Sequence, residues 1–276
     1  MIKLKSITFV VIAAFMFAAC GSKETSENEK DTKVEEKEVT EVVTEIETSS
    51  VKTPSEVKTT EAFSYLETLK VGTNVFLKYN KKLTVVVNKP VFKLDKSDPF
   101  YQEPGEMGMD MQILVKTKIT ESGDEYAIMF SSGPSDDPTF LIYKADTPKE
   151  PIADIYALEL YIPGTGFIYS AGHTNNLFNT RKKFKLSGNK ITEVKQPFYY
   201  VGKESKTLKA VKLYDSESMS NVVAQLPADY SVEVLINKAG TNNFLIKTDF
   251  GLTGWVEMEN PMYGNETVEG IYYSGD

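Results

Sequence analysis

The stretch LKAVKLYDSESMSNVVAQLPADYSVEVLINKAGTNNFLIKTDFGLTGWV, residues 208–256, alternates short apolar runs with polar turns. Because the side chains of a β-strand point alternately to its two faces, this spacing predicts strands with one face in a core. The predicted strands are Val211–Tyr214, Val222–Leu226, Val232–Ile236, Phe244–Lys247 and a last strand beginning at Trp255. Gly251 and Gly254 suit the positive φ angles of a tight hairpin. The stretch therefore predicts a small all-β barrel.

Trp255 is the only tryptophan of the chain, and shortly before it comes Asp249-Phe250-Gly251. These three letters also spell the magnesium-binding motif of protein kinases, but the sequence has no His-Arg-Asp catalytic loop and no glycine-rich phosphate loop. A barrel of this size has a small core, so one large aromatic side chain contributes much of it. We therefore expect Trp255 in the barrel core and a structural hairpin at Asp249–Gly254.

The order of these strands and the closing Gly254-Trp255-Val256 resemble bacterial SH3-like domains, with residues 206–261 as the domain. The sequence departs from that family at the turn 227–230, which lacks the glycine usual before the third strand. The resemblance implies a spacer or a peptidoglycan-binding domain of a bacterial envelope. It makes Tyr214, Tyr230 and Trp255 candidate ligand-binding residues, while packing on the barrel is the alternative for the two tyrosines.

The N-terminus combines a short basic segment, Met1–Lys5, with an apolar run, Ile7–Phe17, that is too short to span a bilayer. The following Phe17-Ala-Ala-Cys20-Gly21 resembles the lipobox of bacterial lipoproteins. That resemblance implies a signal peptide over residues 1–19 and acyl chains, palmitate among them, on Cys20. Such chains would anchor the protein to a membrane; an ordinary secretory signal is the alternative. Cys20 is the only cysteine, so no disulfide or thiolate site is expected.

Residues 20–62 are rich in Ser, Thr, Lys, Glu and Val, with no aromatic residue before Phe63. This composition cannot bury a core and predicts a disordered tether. The whole chain has a net charge of −8, which disfavours nucleic acid as a partner. Arg181 is the only arginine, so recognition of an anion by a guanidinium fork is available at one position.

Residues 63–205 are predicted to form a β-rich domain, a sandwich or barrel, and residues 262–276 a C-terminal tail. Phe63, Leu66 and Leu69 recur at intervals of three, which favours a short helix. Turns rich in Gly, Asn and Ser then separate runs of period two. The predicted strands are Asn74–Tyr79, Leu83–Asn88, Val91–Leu94, Met111–Ile119, Glu125–Phe130, Thr139–Tyr143, Tyr156–Ile162, Gly166–Ser170, Lys182–Leu186, Lys190–Lys195 and Phe198–Val201.

Two sets of residues in the middle domain are of types that ligate metals. His173 is the only histidine, and because zinc sites use several ligands it is expected on a turn or at the surface. Met107, Met109 and Met111 alternate, so on a strand they share a face. A core-facing stripe is expected there, and Cu(I) binding by the thioethers is the alternative. No metal and no cofactor are expected.

The middle domain also holds candidate carboxylates and one basic strand. The carboxylates are Asp95, Asp98, Glu106, Asp110, Asp136 and Asp137. A glycosidase needs two carboxylates at a defined separation, which a sequence does not show. Arg181, Lys183 and Lys185 are predicted to share one strand face, opposite Lys182. A solvated basic face is expected, with binding of an anionic glycan as the alternative.

Together these features predict a cell-envelope lipoprotein, all-β in its folded part, that acts as a non-enzymatic binding or scaffold module. The expected partners are the membrane, through Cys20, and peptidoglycan or another envelope glycan. The outer membrane is favoured, where the organism has one, because no aspartate follows Cys20. An envelope glycan hydrolase using carboxylates of the middle domain and a surface adhesin are the alternatives.

Overall fold

The computed structural model describes residues 62–104, 111–132 and 137–275. The predicted signal peptide, Cys20 and the predicted tether up to residue 61 lie outside these residues, as do Glu106, Met107, Met109, Asp110 and Asp136. Among the described residues no helix is long and apolar enough to cross a membrane.

Seventeen β-strands form within these ranges: β1 (Glu67–Gly72), β2 (Val75–Tyr79), β3 (Thr84–Pro90), β4 (Gln112–Lys118), β5 (Glu125–Ser131), β6 (Thr139–Lys144), β7 (Ala153–Tyr156), β8 (Glu159–Ile162), β9 (Phe167–Gly172), β10 (Thr180–Ser187), β11 (Lys190–Glu193), β12 (Phe198–Lys206), β13 (Val211–Tyr214), β14 (Val222–Leu226), β15 (Ser231–Lys238), β16 (Asn243–Thr248) and β17 (Thr253–Glu257). Two 3₁₀ turns, Lys81–Leu83 and Val91–Lys93, interrupt them. The prediction of an all-β fold is confirmed.

The strands form three sheets. The first has the order β1-β2-β8-β9-β10-β11, the second β3-β4-β5-β6-β7, and the third β12-β15-β16-β17-β13-β14. All neighbours are antiparallel except β2 and β8, which run parallel. Hairpins therefore make most of the connections, as the many short turns of the sequence predict.

The first two sheets pack face to face as a β-sandwich. Leu77 and Leu160 of the first sheet share one buried cluster with Ile128, Phe140 and Ile142 of the second, and all five are fully buried. Sheets packed in this way place alternate residues of each strand in a common core. Of the two architectures predicted for the middle region, the sandwich is the one that forms.

The second sheet is covered on its other face as well. Val91 and Phe100 lie over Ala127 and Met129, which explains why β5 is buried along most of its length instead of alternating. The predicted strand at Val91–Leu94 is therefore a 3₁₀ turn. The chain leaves the sheet after Pro90, where Val91 still donates to the Met111 carbonyl, and crosses over this face.

The predicted helix at Phe63–Leu69 is wrong. Residues 62–65 form a turn, and β1 then pairs antiparallel with β2. Leu66 is buried and Leu69 packs against the sandwich core, while the Phe63 ring lies against aromatic side chains of the first sheet. Tertiary pairing thus overrides a weak local helical pattern.

The third sheet has its own core, which includes Val234, Phe244 and Ile246. β12 pairs with β15, so this sheet begins at Phe198, before the predicted domain start at residue 206. Val268, in the predicted tail, is also fully buried in this core. The division into two domains and the resemblance to SH3-like domains stay predictions.

Candidate ligand-binding surface

Trp255 lies half-buried on the outer face of the third sheet, so the expectation of a core position is wrong. The buried residues of β17 are its neighbours Gly254 and Val256, which face the other way. A Cβ on Gly254 would lie 2.8 Å from the Leu213 Cβ, so β17 and β13 approach closely on the inner side. The core here has room for glycine and not for indole. Of the two hairpin glycines, Gly251 has the expected positive φ, at +90°.

A row of apolar side chains crosses the outer face of the third sheet through Trp255. Directly opposed residues on neighbouring strands point to the same face. Such pairs connect Tyr200 to Ile236, Ile236 to Leu245, Leu245 to Trp255, and Trp255 to Tyr214. We call these five residues the aromatic row; four of them are half-buried, and the Tyr200 side chain is 56% exposed.

Phe198 extends the aromatic row at the start of β12. Its ring centroid lies 6.0 Å from that of Trp255, with the planes tilted by 40°. Phe198 is itself exposed. A group of partly exposed aromatic rings on neighbouring strands is unusual for a surface without a partner. Removing each ring from water would lower the free energy of the protein in solution substantially.

Tyr200 is exposed but held in place. Gly202 has a φ of +59°, and a Cβ there would clash with the Tyr200 ring, so the ring lies over the glycine backbone. This contact falls at the register shift between Tyr200 and Lys203, a bulge in the pairing of β12 with β15. The Arg181 guanidinium also lies 5.4 Å from the centroid of the Tyr200 ring, within the range of a cation–π contact.

Arg181 connects the aromatic row to the outer face of the first sheet. There the Phe63 ring lies 5.0 Å from both Tyr161 and Tyr169, centroid to centroid. Arg181 and these three rings line one cavity of about 340 Å³. As predicted from alternation, Arg181, Lys183 and Lys185 lie on one face of β10, opposite Ala171, Tyr169 and Phe167 of β9.

Glu159, an acidic group beside these rings, is already engaged. Glu159 accepts a hydrogen bond from Tyr161 and forms an ion pair with Lys78 at 3.0 Å. Burial alone would raise the pKa of Glu159, but the hydrogen bonds from Tyr161 and Lys78 outweigh it and hold the pKa below its usual value. Burial, together with the hydrogen bond to Glu159, raises the pKa of Tyr161.

The structure brings two of the three sequence candidates together. Tyr214 and Trp255 are cross-strand partners, whereas Tyr230 packs against the core of the third sheet and does not join the aromatic row. Sequence reasoning missed Phe198 and Tyr200. Their signal was present, because two aromatic residues at a spacing of two in Phe198-Tyr-Tyr-Val201 place two rings on one strand face.

The other candidates have structural contacts. His173 Nε2 lies 2.8 Å from the Tyr272 carbonyl oxygen. Asp95 and Asp98 accept hydrogen bonds from backbone N–H groups two residues ahead, which stabilises turns. Met111 packs on the covered face of the second sheet. Within the described part of the chain, no group of three or more His, Cys, Asp or Glu side chains could hold a metal.

A second cavity, of about 380 Å³, lies between β10–β11 and the third sheet. Glu193 is the one carboxylate among its described lining residues, and it accepts a hydrogen bond from Tyr199 at 2.5 Å. Burial and this hydrogen bond raise the pKa of Tyr199 to about 12. This described lining lacks a pair of facing carboxylates, as glycosidases use, whereas Glu204, Glu233, Asp249 and Glu269 line a larger cavity of about 880 Å³ at the third sheet.

Asp249-Phe250-Gly251 forms the tip of the hairpin between β16 and β17. Gly251 donates its N–H to the Thr248 carbonyl, and the Phe250 side chain is 92% exposed. The tip is a tight turn, as the predicted structural hairpin at Asp249–Gly254 requires.

No protein family matches the chain, and it matches neither a curated protein nor a solved structure.

Proposed function

We propose that this protein is a non-enzymatic binding module of the cell envelope, anchored to a membrane through Cys20, and that it contacts a glycan such as peptidoglycan through the outer face of its third sheet. The observation that carries the proposal is the aromatic row with Phe198, which leaves aromatic rings partly open to solvent on adjoining strands. Aromatic rings of this kind stack against the C–H faces of sugar rings, which removes apolar surface of both from water.

The shape of the surface favours a polymer over a small ligand. The row follows a cross-strand line of the third sheet through five strands, β12, β15, β16, β17 and β13. Polar side chains on the same face, among them Asn243 of β16 and Thr253 of β17, lie beside the row. An apolar line with polar neighbours can stack sugar rings and also bond their hydroxyl groups.

The overall charge is consistent with such a partner. The chain carries a net charge of −8, which opposes binding to nucleic acid through phosphate attraction. Stacking on neutral sugar rings does not depend on net charge, so it is compatible with an acidic protein. The anchor at Cys20 and the tether would present this surface to a polymer outside the membrane.

Co-sedimentation of the full-length chain, solubilised in detergent, with purified peptidoglycan sacculi tests the proposal. Trp255→Ala is expected to weaken binding about tenfold or more, because it removes the central ring of the row. Tyr263→Ala is the matched control, since that aromatic side chain is almost fully exposed and lies outside the row. It is expected to bind like the unaltered chain.

Equal binding of the two variants, with the fold of each checked by circular dichroism, would contradict the proposal. Release of soluble sugar from the sacculi would instead support the alternative of an envelope glycan hydrolase.

A further inference from the structure

We infer that the cavity on the outer face of the first sheet is a second binding site, specific for a carboxylate-bearing sugar unit of the glycan. The inference rests on the proposed function for the class of ligand and adds its charge. The cavity, of about 340 Å³, is large enough for a small ligand and lies between the turn at Phe63 and strands β8 to β10.

The walls of this cavity suit a sugar ring. Phe63, Tyr161 and Tyr169 present three aromatic rings, and Phe63 packs at 5.0 Å against each of the other two. All three are half-buried, so they are positioned by the sheet and by each other and still reach the cavity. The amide of Gln196 adds a polar group at the edge that can bond a hydroxyl.

The lining of the cavity carries positive charge, from Arg181, Lys182 and Lys183, and includes no carboxylate among the described residues. Arg181 and Lys183 both line it, and within the described residues neither forms an ion pair with a carboxylate. Lys183 instead lies 4.1 Å from the Phe167 ring centroid. Glu159 is attracted by Arg181 as well, which helps to lower the pKa of Glu159, but its carboxylate is bonded to Lys78 and Tyr161 and not to Arg181.

This charge is opposite in sign to that of the whole chain. With a net charge of −8, bulk electrostatics repel anions, so an anion bound here would be held by local contacts. The planar guanidinium of Arg181 matches a carboxylate geometrically, and a charge-assisted hydrogen bond is about twice as strong as a neutral one. A carboxylate on a pyranose ring satisfies the cations and the aromatic walls together.

Arg181 also makes the two surfaces continuous. Its guanidinium lines the cavity and lies 5.4 Å from the ring of Tyr200, which begins the aromatic row. One glycan chain can therefore place an acidic unit in the cavity and stack its next units along the row. The acidic unit would set the position of the chain on the protein.

Calorimetric titration with two matched tetrasaccharides tests the inference on the full-length chain in detergent. Tetra-N-acetylchitotetraose (chitotetraose) is a neutral tetramer of N-acetylglucosamine, and the hyaluronan tetrasaccharide alternates N-acetylglucosamine with glucuronate. We expect the acidic probe to bind about tenfold more tightly, with a preference that shrinks as salt is added. Arg181→Gln is expected to abolish the preference. The preference is measured as the ratio of the two affinities, because the contact of Arg181 with Tyr200 lets the substitution weaken the binding of both probes.

Two further variants separate charge from structure. Arg181→Lys keeps the positive charge and is expected to recover part of the preference, and Lys190→Gln, which removes an exposed lysine of the β10–β11 hairpin, is expected to leave it intact. Equal affinity for the two probes, or a preference that survives Arg181→Gln, would overturn the inference. If chitotetraose binding still depends on Trp255 in that case, the proposed function stands; if neither probe nor peptidoglycan binds, both fall.

Discussion

At the scale of single residues, the surface depends on a few backbone positions that hold exposed rings. Tyr200 is the clearest case, because its ring lies close to both the Gly202 backbone and the Arg181 guanidinium. An exposed tyrosine on a strand would otherwise sample several rotamers, and ordering it on binding would cost free energy. Fixing the ring in advance lowers that cost for any ligand that stacks on it.

Substitution of Gly202 tests this arrangement. Gly202→Ala is expected to destabilise the fold by about 2 kcal/mol or more, from a positive φ and a clash with Tyr200. Gly188→Ala is the matched control, because Gly188 has the same φ of +59° and a Cβ added there would meet no atom within 4 Å. Urea denaturation should show a smaller loss, about 1 kcal/mol, for the control. Equal losses would mean that the Tyr200 contact has no energetic role.

The sequence predicted the strand that carries Trp255 but not the face on which the side chain lies. Trp255 is flanked by Gly254 and Val256, so both faces of β17 read as apolar. The burial of Gly254 and Val256 and the close approach of Leu213 to Gly254 show that the indole is on the outside. That approach depends on the pairing of β13 with β17, which lie far apart in sequence.

At the scale of secondary-structure elements, β11 and β12 join the sandwich to the third sheet. Tyr199 of β12 donates to Glu193 of β11, and Tyr199 also packs against the core of the third sheet. Burial, with the hydrogen bond to Glu193, raises the pKa of Tyr199 to about 12 from an ordinary 10.0. The folded protein therefore favours the protonated phenol at this connection.

This pKa predicts a loss of stability at high pH. Below pH 10 Tyr199 is protonated in both the folded and the unfolded chain, so its contribution is fully present. Between about pH 10 and 12 the unfolded chain releases the proton first, and the contribution is lost. Urea denaturation across this range should show a smaller decline for Tyr199→Phe than for the unaltered chain. An identical decline in both would contradict the assignment.

The prediction of secondary-structure elements succeeded where apolar and polar residues alternate regularly. It failed where tertiary contacts determine the secondary structure. Val211–Tyr214 and Val222–Leu226 form strands with the predicted bounds, because polar loops delimit each one. The predicted helix at Phe63–Leu69 was wrong because the pairing of β1 with β2 outweighs a three-residue periodicity of apolar side chains. The predicted strand at Val91–Leu94 was wrong because this segment lies over a face of the second sheet, where its apolar side chains pack, and does not pair with a strand.

At the scale of the whole molecule, the candidate surface spans two sheets, although the sequence assigned both Arg181 and Tyr200 to the one domain over residues 63–205. Arg181 belongs to β10 of the first sheet, and Tyr200 to β12 of the third. No local pattern predicts that these side chains meet, since their contact depends on how the sheets pack. The sequence predicted Tyr214, Trp255 and the basic strand at Arg181 as candidates, whereas it did not predict Phe198, Tyr200 or the arrangement of the site.

The most direct test of the central claim uses Trp255 itself, the only tryptophan, as a fluorescent reporter in the full-length chain. Titration with soluble peptidoglycan fragments is expected to change its emission saturably, with a midpoint that matches the affinity from sedimentation, because the ligand covers a half-exposed indole. Binding of peptidoglycan without any change in Trp255 emission would contradict the claim that the row carries the glycan, as would the absence of binding.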